Sequence, residues 1–226
     1  MTFEIPEVVR QLLLFIPVFI LCLSFHEFAH AWTAAKFGDP TARLMGRLTM
    51  DPMVHISWFG TVIFPAISIA IGSPFLFGWA NPVPVDARNF RKPLGHMAIV
   101  AAAGPLSNIF LAAVSTAILA VLVHQGIPEQ GTARAAAELL EMAVMLNLFL
   151  AYFNLLPVPP LDGFRIVQGV VSTPTALKIE GWAQYGQWIL ILMMLTGMLR
   201  VLAIPVLLTK FALYKGLGIP IGLTVF

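Results

Sequence analysis

The sequence predicts an all-α membrane protein with several spanning helices and one re-entrant segment, and three observations carry that expectation. The 226 residues are 59% hydrophobic and 11% charged, with a mean hydropathy of +0.88. A soluble globular domain carries about 25% charged residues, so this chain has too few charges to solvate a surface. The apolar residues gather into runs as long as a bilayer requires, about 20 residues each. The Lys and Arg residues cluster at the ends of those runs, as they do on the cytoplasmic side of membrane proteins.

Four runs meet the length requirement: 11–35, 94–123, 135–156 and 182–208, the last interrupted by Arg200. A fifth, 56–80, has an apolar core (59–71) that is short for a span and contains Pro65, followed by Gly72, Ser73 and Pro74. Asn81-Pro82-Val83-Pro84-Val85 cannot continue a helix, because two prolines remove backbone donors and extend the chain. Residues 211–226 are apolar but hold Lys215 and Pro220, which suits either a short interfacial piece or a re-entrant one. The N-terminus carries Glu4 and Glu7 against Arg10 and lacks a small-residue cleavage site, so the first run reads as a retained helix and not a signal peptide. The whole of 1–226 reads as one membrane-embedded domain, with a core at about 11–167 and a C-terminal helix at about 182–208.

Charge gives an orientation. Lys36, Arg43 and Arg47 follow the first run, Arg88, Arg91 and Lys92 precede the second, and Arg165 and Lys178 follow the third. Between the second and third stands Arg134 beside Glu129 and Glu138. Placing the Lys/Arg excess in the cytoplasm puts the N-terminus and 125–134 outside and both ends of 56–80 inside. The segment 56–80 must then enter and leave on one side, and non-helical backbone at that depth has to be buried against protein or line a wet cavity. The net charge of +2, with no Lys/Arg run, gives no support for a nucleic-acid partner. The single Cys22 excludes a disulfide framework and a Cys-based zinc site.

The chemistry-bearing motif is His26-Glu27-Phe28-Ala29-His30. On a helix, positions i and i+4 share a face, so both imidazoles can reach one ion, with Glu27 beside that face to take a proton from bound water. Ionisable side chains cost roughly 2.5–3.5 kcal/mol each at the centre of a spanning helix, so three in five residues require a reason. The structural alternative is a polar patch that packs one helix on another. A catalytic zinc usually takes three protein ligands. Asp162, in Asn154-Leu-Leu-Pro-Val-Pro-Pro-Leu-Asp-Gly163, is the candidate for the third. Pro157, Pro159 and Pro160 end the preceding helix and Gly163 permits a sharp turn, so a carboxylate there can be aimed at another helix. An ordinary Pro/Gly-rich turn in which Asp162 caps the segment after it is the competing reading. The topology favours the ligand. His30 lies toward the inner end of its helix, and Asp162 returns to that side only if the intervening chain crosses an even number of times, as two spans plus a re-entrant segment do.

These residues resemble a known family. HEFAH in a membrane helix, Gly104-Pro-Leu-Ser-Asn108 in a later one and the Asn154–Gly163 motif closing the next are similar to the site-2 protease family of intramembrane metalloproteases. Gly78-Trp-Ala-Asn-Pro-Val-Pro-Val-Asp86 resembles its compact bacterial branch. The resemblance spans roughly 12–167. It implies one zinc per chain held by His26, His30 and Asp162, with Glu27 as general base. It also implies that Asn154 supports substrate or the developing oxyanion and that Asn108 lies beside the site, each with an interhelical hydrogen bond as the alternative role. The implied reaction is regulated intramembrane proteolysis, hydrolysing peptide bonds in or near the transmembrane segment of another membrane protein within the cell membrane, with the active site toward the cytoplasm. Many relatives carry a PDZ or CBS domain, for which no stretch here is long or polar enough, and Phe164 stands where many have a second Gly. His55, His96 and His124 read as structural or interfacial. Two other function classes compete: a metal or ion transporter using the same His/Asp site, for which internal repeats are missing, and a catalytically dead scaffold, which the intact Glu27 argues against. The sequence leaves substrate identity and oligomeric state open.

Overall fold

The computed structural model describes residues 6–71, 78–127 and 131–220, so 72–77 of the expected re-entrant stretch and 221–226 of the C-terminal piece lie outside the described residues. Among the described residues every regular element is helical. Helix α1 (Glu7–Lys36) has 30 residues, about 45 Å at 1.5 Å per residue, against a hydrocarbon core of about 30 Å. Helix α2 (Thr41–Leu44) is a single turn, and a π-helical turn at Trp58–Ile63 runs into α3 (Phe64–Ala70). Helices α4 (Pro93–Gln125, 33 residues) and α5 (Thr132–Asn154, 23 residues) complete the set long and apolar enough to cross a membrane singly. Next come the short α6 (Asp162–Val170) and α7 (Thr173–Glu180), then α8 (Gly186–Leu195) and α9 (Ala203–Gly216).

The outward face of α4 shows why the solvent is lipid. Leu106, Phe110, Val114, Ile118 and Val121 recur every three or four residues and are exposed, an apolar stripe that no polar solvent would tolerate at this length. The inward faces form the core. Phe15, Val18, Phe19 and Cys22 of α1 pack with Leu150 of α5, while Ala112 and Leu119 of α4 pack with Val144 and Leu148 of α5 and Val206 and Tyr214 of α9. Two carboxylates are buried on α5, and each is paired. Glu138 meets Arg10 at 2.5 Å and Arg134 at 3.2 Å, and Glu141 meets Lys210 of α9 at 2.7 Å, as ionisable groups at membrane depth require.

The two ends of 56–80 lie side by side. Trp79 N–H donates to Gly60 O at 3.1 Å, Asn81 N–H to His55 O at 2.8 Å, and the buried Thr61 hydroxyl to Trp79 O at 2.7 Å. Gly60 is needed there, since a Cβ would overlap the Trp79 indole. The stretch thus ends where it begins, which agrees with a re-entrant segment. The expected single helix over 182–208 needs correction. The chain breaks after Leu195, with Gly197 at φ +71°, and the helical stretches on either side meet at 82°. Hydropathy runs continuously through this break because Thr196 and Gly197 interrupt the helix without adding charge. The left-handed residue turns the chain, and glycine adopts that conformation without the Cβ penalty.

Candidate metal centre

His26 and His30 lie on the face of α1 that meets α4, about 15 Å and 9 Å from the C-terminal end of α1 at helical rise. Both are buried. Gly104 of α4 makes room for them, because a Cβ at that position would overlap both imidazoles. Asp162 arrives as the first residue of α6, a helix that packs on α4. The Pro-rich turn folds so tightly under α5 that a side chain on Gly163 would strike the Leu155 carbonyl, and α6 lies so close to α4 that one on Gly169 would strike Ala98. Three glycines therefore bring the zinc-binding candidates of two distant segments together.

The three ligand atoms form a small triangle. His26 Nε2 and His30 Nε2 are 3.0 Å apart, and Asp162 Oδ2 lies 3.1 Å from the first and 3.4 Å from the second. Two ligands of a tetrahedral zinc, with bonds of about 2.0–2.2 Å, sit about 3.3–3.5 Å apart, so these edges match or fall a few tenths of an ångström inside. The protons on the rings are accounted for. His30 Nδ1 faces Val100 O at 2.8 Å, and a carbonyl can only accept, so the Nδ1 carries the hydrogen and Nε2 keeps its lone pair. For His26 the argument runs through three residues. Asn147 Nδ2 donates to Ala143 O (2.9 Å), leaving Asn147 Oδ1 to accept from Asn108 Nδ2 (2.8 Å). Asn108 Nδ2 also reaches Cys22 O at 3.3 Å, so Asn108 Oδ1 is the atom that faces His26 Nδ1, at 2.6 Å. Asp162 Oδ2 is buried and finds no hydrogen-bond donor among the described residues. Two imidazole nitrogens and one buried carboxylate oxygen, converging from two distant segments, are the donor set that a divalent metal ion takes.

The structure brings His26, His30 and Asp162 into one cluster, the one group of metal-binding character among the described residues. Asn108 makes the interhelical hydrogen bonds expected as its alternative role, to Cys22 O and Asn147 Oδ1, and its own Oδ1 faces His26 Nδ1 beside the site. Asn147, a fully enclosed partner of Asn108, went unread in the sequence; its signal was a lone amide in the apolar run 144–153. Asn154 is apart from this network: its amide donates to Leu150 O at 3.0 Å, one turn back on its own helix. Glu27 is buried beside the ligands in sequence, and its Oε2 accepts the backbone N–H of Val83 at 2.7 Å.

A membrane-embedded helical bundle enclosing a His/His/Asp centre defines a class, the membrane metalloproteases, and the comparisons with known proteins agree. The model of Peptidase family M50 matches residues 121–195, a stretch that holds α5 and the Asp162 turn. YwhC of Bacillus subtilis (strain 168) is 38% identical over 179 residues, covering 78% of each chain. Rip2 of Mycolicibacterium smegmatis is 26% identical over 188 residues (83% of this chain, 69% of that one), and Rip2 of Mycobacterium tuberculosis (strain H37Rv) 28% over 181 residues (80% and 66%). Each bears the name "Putative zinc metalloprotease". No solved structure matches the chain. The chain belongs to peptidase family M50, the site-2 proteases, a zinc-dependent family, and its apolar helices make it a multi-pass membrane protein.

Proposed function

We propose that this protein is an intramembrane protease that cuts the transmembrane segments of other membrane proteins from the cytoplasmic side, with zinc held by His26, His30 and Asp162 and with Glu27 as general base. The observation that carries the reading is the triangle of His26, His30 and Asp162 ligand atoms enclosed by helices of membrane length. Bound zinc supplies Lewis acidity, polarising a carbonyl and lowering the pKa of a coordinated water toward about 7. The residues of the chain do the rest. His26 and His30 keep their Nε2 lone pairs inward because Asn108 and Val100 hold their Nδ1 protons. Glu27 takes the proton of the attacking water and returns it to the leaving nitrogen. Asn154, at the C-terminal end of α5, stands ready to steady substrate or the oxyanion.

A substrate helix has to unwind before cleavage, since its carbonyls are already hydrogen-bonded. The extended segment at 82–85 is where an unwound strand would pair, whereas 157–160 folds as a tight turn. Pro82 and Pro84 have no N–H to give, and the N–H of Val83 is taken by Glu27, so 82–85 would serve mainly as carbonyl acceptors for substrate N–H groups. The test is zinc content and peptide hydrolysis in parallel. Wild type should hold about one zinc. Glu27→Gln should keep it and lose cleavage by about a hundredfold or more, whereas His26→Ala and Asp162→Ala should lose the metal. Undiminished zinc in Asp162→Ala would remove Asp162 from the ligand set.

A further inference from the structure

The one hydrogen bond described for the Glu27 side chain comes from an extended strand of chain outside any sheet, 81–86, that is itself fixed at both ends. At its start, Asn81 N–H donates to His55 O and Asn81 Nδ2 to Ile56 O, both at 2.8 Å. In its middle stands Val83, flanked by prolines, whose N–H goes to Glu27. At its end, Asp86 N–H donates to Asp39 Oδ2 at 2.8 Å. Asp39 lies three residues past the end of α1 and is fully buried. Its other oxygen receives Thr41 N–H at 3.0 Å, Thr41 Oγ1 at 2.5 Å and Asn89 Nδ2 at 2.7 Å. A carboxylate buried under four donors is a fixed point, because taking it away strands each donor without a partner. The Thr41 bonds serve the local turn. The bond to Asp86 crosses 47 residues of sequence and serves the strand alone.

We propose that Asp39 is a positioning residue for Glu27: by holding Asp86 it keeps the 81–86 strand in register, so that the Val83 N–H fixes one oxygen of the Glu27 carboxylate and orients the other. The inference rests on the reading of Glu27 as the base. Asp39 and Glu27 are then two carboxylates from one stretch of chain gripping one strand, Asp39 for position and Glu27 for reaction. A small displacement of a catalytic group costs rate and not binding, which separates this role from a general contribution to the fold.

Asp39→Asn is the selective variant, because it keeps an oxygen for the Thr41 turn but sets an amide N–H₂ against the Asp86 N–H. Four quantities would be measured on the protein in detergent: zinc content, kcat and KM on a transmembrane peptide, and backbone hydrogen exchange over 81–86. Pro82 and Pro84 carry no amide, so exchange in that stretch reports chiefly on Val83, Val85 and Asp86. Asp39→Asn should keep its zinc, lose about tenfold to a hundredfold in kcat at a KM within about twofold of wild type, and exchange faster over 83–86. Glu27→Ala should also speed exchange there, with zinc retained, a readout that needs no activity. Thr41→Val, which removes one donor from the other oxygen, should leave kcat and exchange near wild type. Wild-type kcat in Asp39→Asn, a fall in kcat without faster exchange, loss of zinc, or an equal fall in Thr41→Val would each overturn the proposal. If Asp39→Asn is silent while Glu27→Gln is dead, this inference alone fails. If Glu27→Gln is fully active, the reading of Glu27 as base fails first.

Discussion

An imidazole binds metal only through a nitrogen that carries no proton, so the partners of the two Nδ1 atoms decide whether His26 and His30 are ligands. Val100 supplies a carbonyl that no side-chain substitution removes, but Asn108 can be changed. Asn108→Ala should weaken zinc binding about 10–100-fold, the range for lost second partners of metal-bound histidines, with α-helical content intact; competition with a chelator of known affinity would measure it. Gly104→Ala should be worse for the metal than for the fold, because its methyl group lands on both imidazoles. At Asp39 the consequence is for pH. Burial raises its pKa, and the hydrogen bonds from Thr41, Asp86 and Asn89 outweigh that, so its carboxyl lies below the ordinary value. Beside it, Arg88 holds the half-buried Asp86 carboxyl down at about 2. A carboxyl with a lowered pKa in the folded state stabilises the protein above its unfolded value, about 3.9, and ceases to as pH falls through and below it. The gap in Tm between wild type and Asp39→Asn should therefore be constant from about pH 5 to 8 and close as pH drops below about 4. The three proposed ligands and Glu27 were legible because HEFAH and the Pro/Gly setting of Asp162 are local patterns. Asp39 and Val83 were not, because what marks them is a partner 47 or 56 residues away and, in one case, a backbone N–H that no residue type announces.

Helices α1, α4 and α5 were legible as spans because their apolar runs are uninterrupted and outlast the bilayer. The bend between α8 and α9 was not, because a hydropathy run does not register a single left-handed glycine. Lys210 ties α9 to the buried Glu141 of α5, a partner 69 residues away that no local pattern announces. The segment 56–80 was legible through charge counting, and its ends do meet through Trp79–Gly60 and Asn81–His55. The Asp39 hub adds that Thr41 and Asn89 are neighbours, so the loops holding Arg43 and Arg88 lie on one side of the bundle. In a Cys22→Ser background, Arg43→Cys and Arg88→Cys should both react with a membrane-impermeant thiol reagent applied to the cytoplasmic face and be silent to reagent applied outside. Labelling of either one from outside would mean that 56–80 spans, and Asp162 would then need another path back to His30.

At the scale of the whole molecule, the proposed reaction takes place below a membrane surface, because the ligand cluster sits among helices of membrane length. His26 and His30 lie within the apolar length of α1 but nearer its C-terminal end, the end that the Lys/Arg distribution assigns to the cytoplasm. The bond cut in a substrate should accordingly lie in the cytoplasmic half of its transmembrane segment. Gly, Asn or Pro near that bond should help, by lowering the cost of unwinding by up to about 1 kcal/mol for Gly and about 3 kcal/mol for Pro. The most direct test is to incubate a single-span membrane protein with the purified enzyme in bilayers and to map both product ends by mass spectrometry, with Glu27→Gln and a zinc chelator as controls. Product ends inside the cytoplasmic half of the span, absent in both controls, are the predicted result. Ends confined to soluble loops, or cleavage that survives both Glu27→Gln and chelation, would contradict it.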